Sequence, residues 1–510
     1  MLILSMRRRS KLGLVMSELL NTLKSIAQAE PNKKAVITES LTLSYQQLLS
    51  DVAMTADLLS VYQGQVVALL ADNGLEWLIV DLAAQMAGVI LLPIPIYFTD
   101  RQIQHALQST AACSLIYSDD FLPISVLSTF PSAPKAFGAS TLLKIDCPRW
   151  PSVQLPQGTD KITFTSGSTG TPKGVCLSNK QQFNVANALL AMTNLNKPRH
   201  LAVLPLSTLL ENIAGVYAPL LTGGEVVLMP IAKRGYLAGH QAFLQSINAI
   251  QPNTMILVPE LLTLLLNATR QGWQPPSSLT FIAVGGSRVA ADLILQARQA
   301  GLPVYEGYGL SEAGSVVSLN TPLADQPGTA GMLLPHISMT VEAGEIVIHG
   351  SQFLGYIGDK TSTVDKFYTG DLGALDSAGF LHIKGRKKQL LISSYGRNIN
   401  PEWIESEILS HPDIQQSVVF GDAQPYCIAL IYSPLSDADL QQHLNMINQQ
   451  LPDYARIYRW HRLPQPLSNQ QGLLTANGRP KRAVIFDHYQ HIIHTLYQEE
   501  TDGILCHAAS

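Results

Sequence analysis

A repeated alternation in the first half of the chain constrains the fold most. Short apolar runs (Val66 to Leu70, Val89 to Ile94, Leu201 to Leu204, Val226 to Met229, Thr254 to Val258, Phe281 to Val284) alternate with stretches of helical spacing such as Gln46 to Leu59 and Glu76 to Ala87. A strand that is apolar throughout, rather than at every second residue, is buried on both faces. That is the pattern of parallel sheets covered by helices. The alternation therefore predicts an α/β fold, with a large N-terminal domain of parallel-rich sheets covered by helices. After about Gly344 the texture changes to short strands and turns, Glu345 to His349 and Phe380 to Lys384. Beyond Lys388 it becomes a small α+β unit, with strand-like Gln389 to Ser393, a helix from Pro401 to Leu409 and strand-like Ser417 to Phe420. A boundary near Gly385 to Lys388 gives domains over 1–385 and 386–510, the latter ending in a loosely held tail.

Composition narrows the class. A chain of 510 residues, 46% hydrophobic and only 14% charged, is too long for one core and too apolar for disorder or coiled coil. Lys plus Arg number 34 against 38 Asp plus Glu, a net charge of −4 that gives no electrostatic reason to bind nucleic acid or an anionic membrane. The five cysteines form no CxxC and have no His at metal-ligand spacing, so they read as scattered reduced thiols of a cytoplasmic protein. At the N-terminus Arg7, Arg8 and Arg9 follow the short apolar stretch instead of preceding it, unlike a secretory signal, and Met6 or Met16 serves equally well as a start. The run from Trp77 to Phe98 approaches membrane length but contains Asp81, Gln85, Pro93 and Pro95. It reads as a buried helix leading into a buried strand, with peripheral membrane contact at most.

The densest chemical signal is Thr165-Ser166-Gly167-Ser168-Thr169-Gly170-Thr171-Pro172-Lys173-Gly174, after strand-like Ile162 to Phe164. Its glycines let the backbone turn sharply, its hydroxyls and N–H groups offer donors to phosphate oxygens, and Lys173 adds a point charge. Pro172 stands where the nucleoside-triphosphate P-loop needs its second glycine, so that motif is excluded. Further on come Gly285-Gly286-Ser287 after an apolar strand, Tyr308-Gly309-Leu310-Ser311-Glu312, Tyr368-Thr369-Gly370-Asp371, and Gly379 to Arg386.

In this order, from about Pro31 to Ile485, the motifs resemble those of the adenylate-forming superfamily, and in particular the medium- and long-chain fatty acyl-CoA synthetases. The resemblance implies a two-step reaction. A carboxylate attacks the α-phosphate of ATP to give acyl-AMP and pyrophosphate, and a thiol then displaces AMP. It implies ATP and Mg²⁺ as cofactors and CoA as acceptor. Thr165 to Gly170 with Lys173 would hold phosphate, Gly285, Gly286 and Ser287 would approach adenine, and Tyr308 and Gly309 would lie against the base, with Ser311 beside them. Asp371 would accept from two ribose hydroxyls and Arg386 would reach the ribose too. Glu312 would bind Mg²⁺, which takes hard oxygen ligands and usually only one or two carboxylates.

The resemblance also implies that the small domain turns about a hinge at Lys388 between the two steps, with Gly396 facing the thiol channel. The apolar, small stretch Asn212 to Thr222 suits an alkyl chain, so Thr208, Asn212 and Gly215 are candidates to line the acyl site. Two departures stand out. Thr208 replaces a His at the carboxylate end of that site, and Arg479 occupies the position of the adenylation lysine, with Lys481 two residues on. Either cation would neutralise the charge developing at the phosphate. Alternatives on the same scaffold are loading of an acyl carrier protein, activation of a hydroxylated fatty acid, and nucleotide binding without catalysis.

Overall fold

The computed structural model describes residues 16–165, 173–231, 239–350, 352–359, 365–469, 471–475 and 478–498. The basic N-terminal segment and the C-terminal tail discussed above lie outside them. The chain divides into two compact units, one of Met1–Ser287, Ile294–Thr369 and Ala374–His382, the other of Arg288–Leu293, Gly370–Gly373 and Ile383–Ser510.

The larger unit is built on two mixed sheets. In the first, of nine strands, Val304–Leu310, Phe281–Val284, Thr254–Leu257, Arg199–Ala202, Glu225–Leu228 and Lys34–Ile37 are neighbours in that order and run parallel. Antiparallel strands close it, Ser315–Leu319 and Met332–Leu333 at one edge and Thr42–Ser44 at the other. The second sheet, of eight strands, centres on the parallel set Ser114–Tyr117, Val66–Leu70, Ile90–Pro93 and Lys161–Thr165. Lys173–Leu177 and then Gly355–Tyr356 extend it antiparallel.

The apolar runs sit where continuous burial requires them. All five residues of Val66–Leu70 are buried, and Ala68, Leu92, Leu115, Ile162 and Cys176 join one core. The run from Trp77 folds as read: helix Leu75–Ala87 ends at Gly88 in the left-handed region (φ +68), and strand Ile90–Pro93 follows. Among the described residues no helix is long and apolar enough to cross a membrane.

The smaller unit is α+β. Gln416–Phe420 pairs antiparallel with Cys427–Tyr432, which runs parallel to Ile457–Arg462. Alternate residues of these strands feed two cores. Val419, Ala429 and Ile431 pack with Ile404, Ile408 and Leu444 of helices Pro401–Ile408 and Asp437–Gln450. Val418, Ile428 and Leu430 pack with Ile485 and Ile493 of Arg482–His488 and Gln490–Gln498. Arg482 is fastened to this unit by a two-pronged pair with Glu405, at 2.6 and 3.1 Å.

Candidate active site

In the larger unit the candidate residues are organised by one hairpin. Lys161–Thr165 and Lys173–Leu177 pair antiparallel, with Thr165 opposite Lys173 and Lys161 opposite Leu177. This brings Thr165 and Lys173 side by side, the Thr165 hydroxyl directed at the Lys173 carbonyl at 3.5 Å. Ser166, Gly167, Ser168, Thr169 and Gly170 lie outside the described residues.

Lys173 meets Tyr356 from far along the chain, and Tyr356 in turn meets Glu312. Tyr356 pairs across the sheet with Val175, so its ring stands on the face that also carries Lys173, two residues away. The Lys173 ammonium lies 5.3 Å from the ring centre, a cation–π distance. The Tyr356 hydroxyl donates to Glu312 Oε1 at 2.8 Å. Burial, and then the neighbouring Glu312 carboxylate, push this phenol well above its ordinary range, so it stays a donor. Sequence reasoning missed Tyr356. It belongs to no motif recognised there, and only strand pairing brings it to Glu312, 44 residues earlier.

Glu312 sits on the short turn Ser311–Ala313 between strands Val304–Leu310 and Ser315–Leu319. The turn demands glycine at Gly309, where an added Cβ would fall 1.8 Å from the Ser315 carbonyl oxygen. Gly285, at the end of strand Phe281–Val284, faces the Gly307 carbonyl oxygen, 3.2 Å from where a Cβ would be. Tyr308 lies opposite Ser318 at a bulge in the same pair of strands. Gly286 takes a positive φ (+94), with Ser287 following. Among the described residues no group of three or more His, Cys, Asp or Glu is placed to hold a metal. A single carboxylate fixed by a phenol nevertheless fits Mg²⁺ carried in with nucleotide phosphates.

In the smaller unit Arg386 Nε pairs with Asp371 Oδ1 at 2.9 Å, and Asp371 is buried. The two residues assigned to ribose are thus in contact. Lys388 is exposed on the short turn Lys387–Gln389. Gly396 takes φ +74 in a turn closed by its N–H to the Ser393 carbonyl at 2.8 Å. Arg479 and Lys481 are both exposed. Their loop is closed by Thr475 N–H to Arg479 O at 2.7 Å and Lys481 N–H to Leu473 O at 2.8 Å.

The stretch considered for the acyl group forms a wide helical turn, a π-helix over Leu210–Tyr217, and Ile213 and Val216 are fully buried. Its polar residues are committed internally. Asn212 accepts from Lys161 Nζ at 2.6 Å and donates to Asp81 at 3.1 Å, Lys161 pairs with Asp81 at 2.7 Å, and Tyr217 donates to Asp81 at 2.6 Å. Burial lowers the Lys161 pKa and pushes Tyr217 up. Glu211 binds His200 at 2.8 Å, and these two fill the space beside Gly215, where a Cβ would lie 2.1 Å from Glu211 Oε1. The Thr208 hydroxyl donates to the Pro205 carbonyl at 2.7 Å.

Comparison with known proteins shows the class to which this two-unit α/β chain belongs. Residues 23–357 match the AMP-binding enzyme family and residues 388–501 the AMP-binding enzyme C-terminal domain. The chain belongs to the AMP-binding enzyme family. It is 25% identical over 499 residues to the 2-succinylbenzoate–CoA ligase of Bacillus subtilis, covering 89% of this chain and 97% of that one. It is likewise 25% identical over 546 residues to the long-chain-fatty-acid–CoA ligase FadD15 of Mycobacterium bovis, covering 87% and 89%. The anthranilate–CoA ligase AuaEII, solved with anthranoyl-AMP, shares the fold at a TM-score of 0.79 and 19% identity, over 94% of this chain and 99% of that one.

Proposed function

We propose that this protein activates a medium- or long-chain fatty acid as acyl-AMP and transfers it to CoA, releasing AMP and pyrophosphate. The coarser part rests on family membership: the chain is an AMP-forming acid–thiol ligase, with ATP, Mg²⁺ and CoA as its cofactors. The observation that carries the adenylation step is the meeting of Lys173, Tyr356 and Glu312 beside the hairpin ends. A lysine charge there would draw the phosphates toward the loop that begins at Thr165, and the Glu312 carboxylate would share Mg²⁺ with them. Held there by Glu312, Mg²⁺ would supply neutralisation of phosphate charge. Gly285, Gly286, Ser287, Tyr308, Gly309 and Ser311 would serve the adenine end, and Asp371 with Arg386 the ribose. Arg479, with Lys481 as the alternative, would supply the cation for the first step, and Lys388 would be the hinge that exposes Gly396 to the thiol.

The fatty-acid reading is supported by the apolar, small composition of the stretch from Asn212 to Thr222, with Thr208 shortly before it and Gly215 within it, although Asn212 itself is held by Lys161 and Asp81. A second reading, an arylcarboxylic acid, is favoured by relatives: the 2-succinylbenzoate ligase stands at the same 25% identity as FadD15. A carrier-protein thiol in place of CoA is a third. Pyrophosphate release over fatty acids, hydroxy fatty acids, 2-succinylbenzoate and ferulate, with and without CoA, decides among them. Release with aryl acids alone overturns the fatty-acid reading, and silence with every acid overturns catalysis. Following acyl-AMP formation and thioester formation separately on Arg479→Ala, Lys481→Ala and Lys388→Pro tests the smaller unit. The cation variants should lose the first step and the hinge variant the second.

A further inference from the structure

We propose that Tyr356 is a positioning residue that aims the Glu312 carboxylate at the metal and holds the Lys173 ammonium over the phosphates. This rests on the reading of Lys173 and Glu312 given above and adds a third member to their site.

Three segments remote in sequence meet at one ring. The phenol donates to Glu312 Oε1 at 2.8 Å, and the ring face receives the Lys173 ammonium at 5.3 Å. A carboxylate has two oxygens and about four lone-pair directions, and one phenol proton takes only one of them. The hydroxyl therefore fixes the carboxylate without exhausting its capacity for a cation. The partner of a metal-ligating carboxylate commonly does this work, setting its rotamer before the metal arrives.

The ring is itself held from several sides. Its backbone N–H donates to Asp359 Oδ2 at 2.8 Å, and residues 355 and 356 pair with Cys176 and Val175. Phe353, 1% exposed, meets the ring edge-on at 5.4 Å and is backed in turn by Phe367 at 5.2 Å. Gly355 has φ +127, a conformation side chains rarely adopt, and a Cβ there would come 3.1 Å from Asp359 Oδ2. The backbone before the tyrosine is thus specialised for this placement.

The test is Tyr356→Phe, which keeps the ring under Lys173 and removes only the donor. Mn²⁺ binding is measured by water-proton relaxation with the α,β-methylene analogue of ATP, and pyrophosphate release is measured across Mg²⁺ concentrations. Metal affinity should fall roughly 10- to 100-fold, the loss usual for a ligand's outer partner. Excess Mg²⁺ should then restore much of the rate, a rescue that a merely structural role would not show. In a Glu312→Gln background, adding Tyr356→Phe should change metal affinity little, because its route through the carboxylate is gone. Wild-type metal affinity in Tyr356→Phe, or a rate loss that Mg²⁺ does not rescue, overturns the inference while leaving the reading of Glu312 intact. If the wild-type protein binds no Mn²⁺ with the nucleotide analogue, both fall.

Discussion

Two trios in the larger unit are made of the same parts, a tyrosine, a carboxylate and a lysine. Tyr217 donates to Asp81 at 2.6 Å, with Lys161 5.2 Å from its ring centre; Tyr356 donates to Glu312 at 2.8 Å, with Lys173 at 5.3 Å. The two lysines even open the two strands of one hairpin. What separates them is closure. Lys161 and Asp81, 2% and 0% exposed, pair directly, and Asn212 and Gln85 take up further donors and acceptors. Lys173, by contrast, is exposed. An ionic cluster that satisfies itself in the interior has little left to offer a ligand, so its work is to hold the fold in one arrangement. The same groups at a surface can bind.

Matched substitutions should separate the two. The largest effect expected is in Glu312→Gln, which should abolish adenylation and leave the melting temperature where it is. Unchanged pyrophosphate release at limiting Mg²⁺ would remove the metal assignment. Asp81→Ala should act in the opposite sense, costing about 3–5 kcal/mol of stability by stranding a buried ammonium. Urea unfolding measures it, and Asp81→Leu with Lys161→Met should recover most of the loss. A double variant as unstable as the single one would mean that the cluster is not coupled through charge. Lys173→Ala should slow acyl-AMP formation on the order of 10²-fold, as loss of one electrostatic contact to a transition state does. Its stability should hold; if it melts early instead, the open trio is structural as well. The smallest effect is that of Tyr217→Phe, about 1–3 kcal/mol for the partners left unpaired. It should not alter Mg²⁺ dependence, and an altered one would make the sealed trio part of the site.

The sequence disclosed the parallel sheets because burial on both faces removes polar residues. Val66–Leu70, Thr254–Leu257 and Phe281–Val284 fall where their apolar runs are. The sequence marked Gly285 and Gly309 as sites of close backbone approach, but not that at Gly309 the crowding comes from the Ser315 carbonyl of the neighbouring strand. What stayed hidden depends on partners distant in sequence. Asp81 could be read only as too polar for a membrane span, because Lys161 lies 80 positions later. Likewise Asn212 resembled a pocket residue until its amide was found bonded to Lys161 and Asp81. Tyr356 had no local signature, since edge-strand pairing, not periodicity, carries it to Glu312.

The shared hairpin also limits how this chain can change its length. Side chains alternate faces along a strand, so losing or gaining one residue between Lys161 and Thr165 would swing Lys161 away from Asp81 or break the alignment of Thr165 with Lys173. The sealed trio thus acts as a counting device for the strand that leads into the loop. Changes of length are therefore expected in residues 166–172 and not in the strand, and homologues carrying this lysine–aspartate pair are expected to keep the spacing from Lys161 to Thr165 even where the loop itself varies.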